Sequence, residues 1–325
     1  MTLLKKQDGL YLDDSIIGIL KTSDGIIFDC DGVLIDITNS YDLTISKTTK
    51  YVLEKYSSIV DSIDIDSKII DGFKSTGGFN DEVDLAYAAI IAIVAAKKLQ
   101  RDQKEFIFEV IKNSDTSGII STQKYIETLT EINDIKDKLS YPGKHHDNPL
   151  YQIFDQLFYG PELYKKLFKN NSEFMELGLI KNDIVIINDS LITKLKTKFN
   201  SKISIVTGRG KESVRYSLKN LVDEFDLDNS AFLEDESRNM AKPNPSSLIR
   251  AIKGMKSNNS IYVGDSMEDL IMAKKATEQG YKTTFCGIIG TSKDPQKKLE
   301  MFEKNGALLV LESINLLPKV VNCQS

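Results

Sequence analysis

Gly25-Ile-Ile-Phe-Asp-Cys-Asp-Gly-Val-Leu34 decides the fold of this chain. The apolar run 25–30 ends in acids and reads as a short strand buried on both faces, as in a parallel sheet. Three similar runs follow, at 203–206 (ISIV), 261–263 (IYV) and 307–311 (ALLVL). Two further candidates are 231–233 and 282–287. Helical patterns separate them. Residues 211–222 put Val214, Leu218, Leu221 and Val222 on one face, Pro245 opens a helix, and 267–279 precedes Gly280 as a C-cap. Short buried strands alternating with helices predict an α/β domain with a doubly wound, Rossmann-like parallel sheet.

Outward from this core, residues 37–180 carry few strand-like runs. They predict helices over 41–56, 81–99, 104–112 and 122–132, with loops at 74–80 and 141–149. The reading is a mostly α-helical domain, 37–180, inserted into an α/β core made of 1–36 and 181–325. The flanks 1–24 and 318–325 carry little signal. The longest apolar run, Leu85 to Ala96, is too short to span a bilayer and predicts a buried helix. The N-terminus lacks a signal-peptide core.

The 325 residues are 41% hydrophobic and 27% charged, which excludes a disordered or collagen-like chain. With 42 basic against 47 acidic residues and no basic stripe, a nucleic-acid partner is not expected, nor is a membrane. Cys30, Cys286 and Cys323 are far apart and form no metal-type pair, which fits a reducing cytoplasm.

Four polar clusters fall at the predicted C-terminal ends of strands, where open α/β sheets bind ligands. The first is Asp29/Asp31. Of three Asp-x-Asp pairs, only this one ends an apolar strand and precedes a glycine; Asp64/Asp66 and Asp226/Asp228 read as solvated turns. Two close carboxylates repel unless a cation neutralises them, and a hard divalent ion would. The second is Thr207-Gly208, where a hydroxyl, main-chain N–H groups and a helix N-terminus could face an anion. The third is Lys242, held by Pro243 and Pro245, a point charge suited to phosphate. The fourth is Asp265 with Asp269 one helical turn later. Each also has a plain reading, as a strand-end turn, a surface lysine or a helix cap.

Together, in this order, DCDGVL at 29–34, VTG at 206–208, Lys242-Pro243 and GDSMED at 264–269 resemble the four motifs of the haloacid dehalogenase-like (HAD) hydrolase superfamily. The inserted helical segment is similar in position to the cap of its subfamily I, and the phosphoglycolate-phosphatase-like branch is the nearest broad match. The resemblance implies a Mg2+-dependent phosphatase of a small phosphorylated metabolite, such as phosphoglycolate or histidinol phosphate. It implies Asp29 as nucleophile and Asp31 as general acid and base, since a dehalogenase of the superfamily lacks that second acid. It further implies phosphate contacts from Thr207, Gly208 and Lys242, a metal held by Asp29, Asp31 (main-chain carbonyl) and Asp265, and support from Asp269. In the cap, Asn80 and Asp81 are the candidate substrate contacts, although either also suits a helix N-cap. His145 and His146 read as a solvated loop and Cys30 as a buried bystander. A phosphomutase of the same fold and a non-catalytic regulatory protein are the alternatives, and a homodimer is left open.

Overall fold

The structure is a computed structural model and describes residues 3–79, 81–143 and 147–321. It divides into two compact units, Met1–Ile37 with Asp183–Ser325, and Thr38–Asn182.

The first unit is a mostly parallel, eight-stranded sheet with helices against it. Its strands are β1 (Leu4–Gln7), β2 (Leu10–Leu12), β3 (Gly25–Phe28), β6 (Ile203–Thr207), β7 (Ala231–Phe232), β8 (Ser260–Gly264), β9 (Thr283–Ile288) and β10 (Leu309–Leu311). A separate two-stranded ribbon pairs β4 (Ile35–Asp36) with β5 (Ile184–Val185). The sheet order is β1-β2-β10-β9-β8-β3-β6-β7, so β3 lies at the centre between β8 and β6, parallel to both.

Alternation explains why β3 has no polar face. Ile26 and Phe28 pack into one layer with Ile203, Ile205, Ile261 and Val263, whereas Ile27 packs into the other with Val206 and Tyr262. Each such side chain contributes about 1.5–3 kcal/mol on burial. The apolar run therefore ends where the strand leaves its two covering layers, and the first polar residue, Asp29, falls at the C-terminal edge. The Asp29 N–H still donates to Val263 O at 2.8 Å, which fixes its main chain to the end of β8.

The N-terminal flank, which carries little signal in the sequence, forms part of the sheet. β1 and β2 form a hairpin, and β2 pairs antiparallel with β10, Leu12 opposite Leu309 and Leu10 opposite Leu311. Leu10 and Leu12 are buried by this long-range pairing, which two short runs of mixed polarity did not announce.

The second unit is helical. Its helices cover Thr38–Ser57, Ser67–Lys74, Glu82–Lys98, Gln103–Lys112, Ile119–Glu127, Asn133–Leu139 and Pro149–Phe168. Leu85 to Ala96 is buried throughout, so Glu82–Lys98 is the core helix of this unit. Its start is set by Asp81, whose side chain accepts from Val83 N–H. Pro149–Phe168 kinks at Gly160, just before Pro161. No helix among the described residues is long and apolar enough to cross a membrane.

Candidate active site

Four segments of the first unit converge beyond the ends of β3, β6 and β8. Asp29 is 6% exposed. Its Oδ1 lies 2.8 Å from Lys242 Nζ, and the same ammonium lies 2.8 Å from Asp269 Oδ1. Carboxylate oxygens of Asp29, Asp265 and Asp269 all fall within 4.8 Å of one another. Position 29 is thus brought together with three residues more than two hundred positions away.

Asp269 is wholly buried and fully engaged. Its Oδ1 accepts from Tyr262 OH at 2.7 Å as well as from Lys242. Its Oδ2 accepts from the N–H groups of Asp265 and Ser266 (3.1 Å each) and from Ser266 Oγ (2.7 Å). Ser266 in turn accepts from Asp269 N–H, a capping box that starts the helix Met267–Glu278. A carboxylate with that many donors is a poor metal ligand and a good anchor for a lysine.

Electrostatics follow from burial. Desolvation pushes the Asp29 carboxyl up to about 8; Lys242 opposes this, while Asp269, Asp265 and Asp31 add to it. Asp269 is held low, because Lys242 and its hydrogen-bond donors outweigh burial. For Lys242 burial is overcome by Asp269 and Asp29, and its ammonium stays charged well above the usual range. Once ionised, Asp29 lies beside the acids Asp269, Asp265 and Asp31, a repulsion that Lys242 offsets in part and a divalent cation would relieve.

The donor set fits such an ion. Asp29 and Asp265 offer hard carboxylate oxygens at one point. Gly32 adopts φ +71°, and a Cβ there would run into the Asp265 carboxylate, so the loop after β3 presses on Asp265 as only glycine permits. Asp265 Oδ2 also accepts from Lys298 Nζ at 2.7 Å, an ion pair not anticipated from sequence.

Asp31 faces a different partner. Its Oδ1 is 2.6 Å from Nε of Arg209, whose Nη1 lies 2.8 Å from Asp183 Oδ2. Arg209 is 2% exposed and directly follows Thr207-Gly208. Sequence reasoning missed it, along with Asp183, Tyr262 and Lys298. An arginine next to a Thr-Gly was the available signal, but its burial depends on partners that only the fold supplies.

Thr207 is buried at the end of β6 and its Oγ1 accepts from Arg209 N–H at 3.3 Å. Gly208 sits in open space. The helix N-terminus expected to help an anion here is taken instead: Gly210 N–H donates to Glu234 Oε2 (2.7 Å) and Lys211 N–H to Asp235 Oδ2 (2.8 Å). Carboxylates from the segment after β7 fill that positive end, so Thr207, Gly208 and Lys242 remain as the anion contacts to consider.

Asp81 belongs to the helical unit, where it caps Glu82–Lys98 and accepts from Tyr151 OH at 2.9 Å. Asn80, His145 and His146 lie outside the described residues. Cys30 is buried, and burial pushes its thiol well up, followed by Asp31.

Comparison with known proteins follows the same lines. A family model described as haloacid dehalogenase-like hydrolase matches residues 24–277. No curated protein matches the chain. Among solved structures, the chain is similar to Phosphatase Tt82 from Thermococcus thioreducens, with 21% identity over 86% of this chain and 99% of that one and a TM-score of 0.55. It is also similar to a HAD hydrolase, family IA, variant 3, from Entamoeba histolytica, with 16% identity, 92% and 98% coverage and a TM-score of 0.46. The first of these is a likeness of fold. The family match covers Asp29, Lys242, Asp265 and Asp269, and the chain belongs to the haloacid dehalogenase-like hydrolases.

Proposed function

We propose that the chain is a Mg2+-dependent phosphatase that hydrolyses a small phosphorylated metabolite through an aspartyl-phosphate at Asp29. One observation carries this reading: a buried carboxylate at the end of the central strand is bound by Lys242 within reach of Asp265.

In the proposed reaction an Asp29 oxygen attacks phosphorus and the P–O bond to the leaving group breaks. Asp31 gives its proton to the departing alkoxide. Asp31 then takes a proton from a water whose oxygen attacks phosphorus. The acyl phosphate bond breaks and Asp29 is restored with release of phosphate. Lys242, Thr207 OH and Gly208 N–H hold the phosphoryl oxygens, and Asp269 aims Lys242. The carboxylates of Asp29 and Asp265, with the Asp31 main-chain carbonyl, would hold Mg2+. When bound, that ion supplies positive charge to a phosphate oxygen and to the attacking carboxylate. The phosphate is then met by fixed charges and dipoles, as phosphoryl transfer requires.

The free, buried thiols of Cys30 and Cys286 suit a cytoplasmic protein. Phosphoglycolate and histidinol phosphate are the first esters to test. The test is phosphate release from a panel of phosphomonoesters with Mg2+ and with chelator, for wild type and Asp29→Asn. Release that needs both Mg2+ and Asp29 is expected. Equal release by the two proteins, or an isomerised ester in place of free phosphate, would overturn the reading.

A further inference from the structure

Asp31 enters the chemistry above, but the buried pair it meets, Arg209 and Asp183, does not, and the cost of burying that pair calls for a reason. Arg209 has a side chain 1% exposed and meets two carboxylates with different atoms, Nε to Asp31 Oδ1 and Nη1 to Asp183 Oδ2. Nη1 also donates to Ser217 Oγ at 3.1 Å, and Ser217 Oγ donates to Asp183 Oδ2 at 2.6 Å. Asp183 has a side chain only 3% exposed. Desolvating the Arg209 and Asp183 charges is expensive, and an apolar pair would serve stability as well or better. A planar guanidinium with two prongs, however, fixes direction as well as distance.

Where the array lies is informative. Asp31 precedes β4, the strand on which the chain leaves for the inserted unit. Asp183 immediately precedes β5, the strand on which it returns, and β4 and β5 pair with each other. Arg209 stands just past the Thr-Gly at the end of β6, and Ser217 lies in the helix Lys211–Leu218. One cation thus ties the turn after the nucleophile strand, the return crossing and the β6 end.

We propose that Arg209, braced by Asp183, is a positioning residue that sets the direction of the Asp31 carboxylate toward the leaving group. The inference rests on the phosphatase reading. Asp183 and Ser217 hold the guanidinium through Nη1, and its Nε, 2.6 Å from Oδ1, then places the Asp31 carboxylate by close charge contact. Lysine is not equivalent here, because Asp31 and Asp183 are met by two different nitrogens of the guanidinium, Nε and Nη1, and a lysine has one.

The test separates positioning from plain stability by the leaving group. Protonation matters for an alkoxide and little for 2,4-dinitrophenolate. Full-length wild type, Arg209→Lys and Asp183→Asn are compared with Mg2+ on β-glycerol phosphate (turnover) and on 2,4-dinitrophenyl phosphate (pre-steady-state burst), with melting temperature alongside. Arg209→Lys should lose about 100-fold on the glycerol ester, a loss typical of misplaced general acid catalysis, and less than about 10-fold in the burst rate. Asp183→Asn, which keeps an acceptor for Arg209 and Ser217, should show the same asymmetry with a smaller loss, and it decides the matter if Arg209→Lys does not fold. An active wild type whose variants lose both esters equally, or neither, overturns the inference alone. A wild type inactive on both esters overturns the phosphatase reading beneath it.

Discussion

Gly32 and Asp265 compete for one volume: a single carbon added at position 32 would overlap the carboxylate at position 265. The two residues come from the ends of adjacent strands, β3 and β8, and φ at Gly32 is +71°. Gly32→Ala should therefore displace Asp265 while leaving the sheet intact. A shifted carboxylate beside a metal typically costs 10–100-fold in affinity, so the Mg2+ concentration for half-maximal phosphate release should rise by about that factor. Unchanged Mg2+ dependence would remove Asp265 from the metal set.

Asp269 and Tyr262 should separate charge from hydrogen bonding. Asp269→Asn leaves Lys242 buried with one carboxylate fewer, and breaking a buried pair in this way costs about 3–5 kcal/mol. Tyr262→Phe removes one hydrogen bond to Asp269 and should cost about 1–2 kcal/mol, with activity kept within about tenfold. Urea unfolding of both variants checks the order. A tyrosine variant as damaged as the Asp269 one would contradict it.

Metal binding should release a proton at neutral pH. The Asp29 carboxyl is pushed up to about 8 by burial and by neighbouring acids, so before metal binds it holds a proton at pH 7. A divalent cation takes the ionised form. Apparent Mg2+ affinity should then rise with pH up to about 8 and level off. Titration calorimetry in two buffers of different ionisation heat should show release approaching one proton at pH 7 and little at pH 9. Because this acid titrates higher in the folded than in the unfolded chain, metal-free stability should fall as pH rises between about 4 and 8, and Mg2+ should flatten that slope.

Asp24 predicts the opposite sign at acid pH. Burial would raise its carboxyl, but main-chain N–H groups of Asn259 and Asn258, Ser257 OH and Lys202 hold it down at about 2. It bridges the starts of β3 and β8. Its contribution is present above the ordinary carboxylate range and lost as pH falls toward 2. Asp24→Asn should cost about 1–2 kcal/mol at pH 7, a charged hydrogen-bond value reduced for partial exposure. The gap from wild type in thermal melts should close by about pH 2. A gap independent of pH would show that packing, not charge, is responsible.

Much of the sheet was legible because strands buried on both faces must be apolar until they end, and at β3, β6 and β8 the first polar residues past that end are the site. Asp29, Asp265 and Asp269 could be nominated for that reason and Lys242 from the prolines that follow it, and they meet. The hairpin β1-β2 was not legible, because Leu10 and Leu12 are buried only by β10, some three hundred residues on. Arg209 was illegible for a related reason: a charged residue is buried only where partners such as Asp183 are waiting, and no local pattern encodes that. Glu234 and Asp235, which occupy the helix start at Gly210 and Lys211, likewise arrive from the far side of a strand.

The ribbon of β4 and β5 sets Ile35 opposite Val185 and Asp36 opposite Ile184. The exit and re-entry points of the insertion are therefore neighbours on an antiparallel ladder, the geometry of a hairpin tip. A turn of a few residues in place of Thr38–Asn182 would close that tip without disturbing the eight-stranded sheet. The chain is accordingly modular at the level of its gene: one contiguous guest segment enters and leaves its host at a single spot on the backbone.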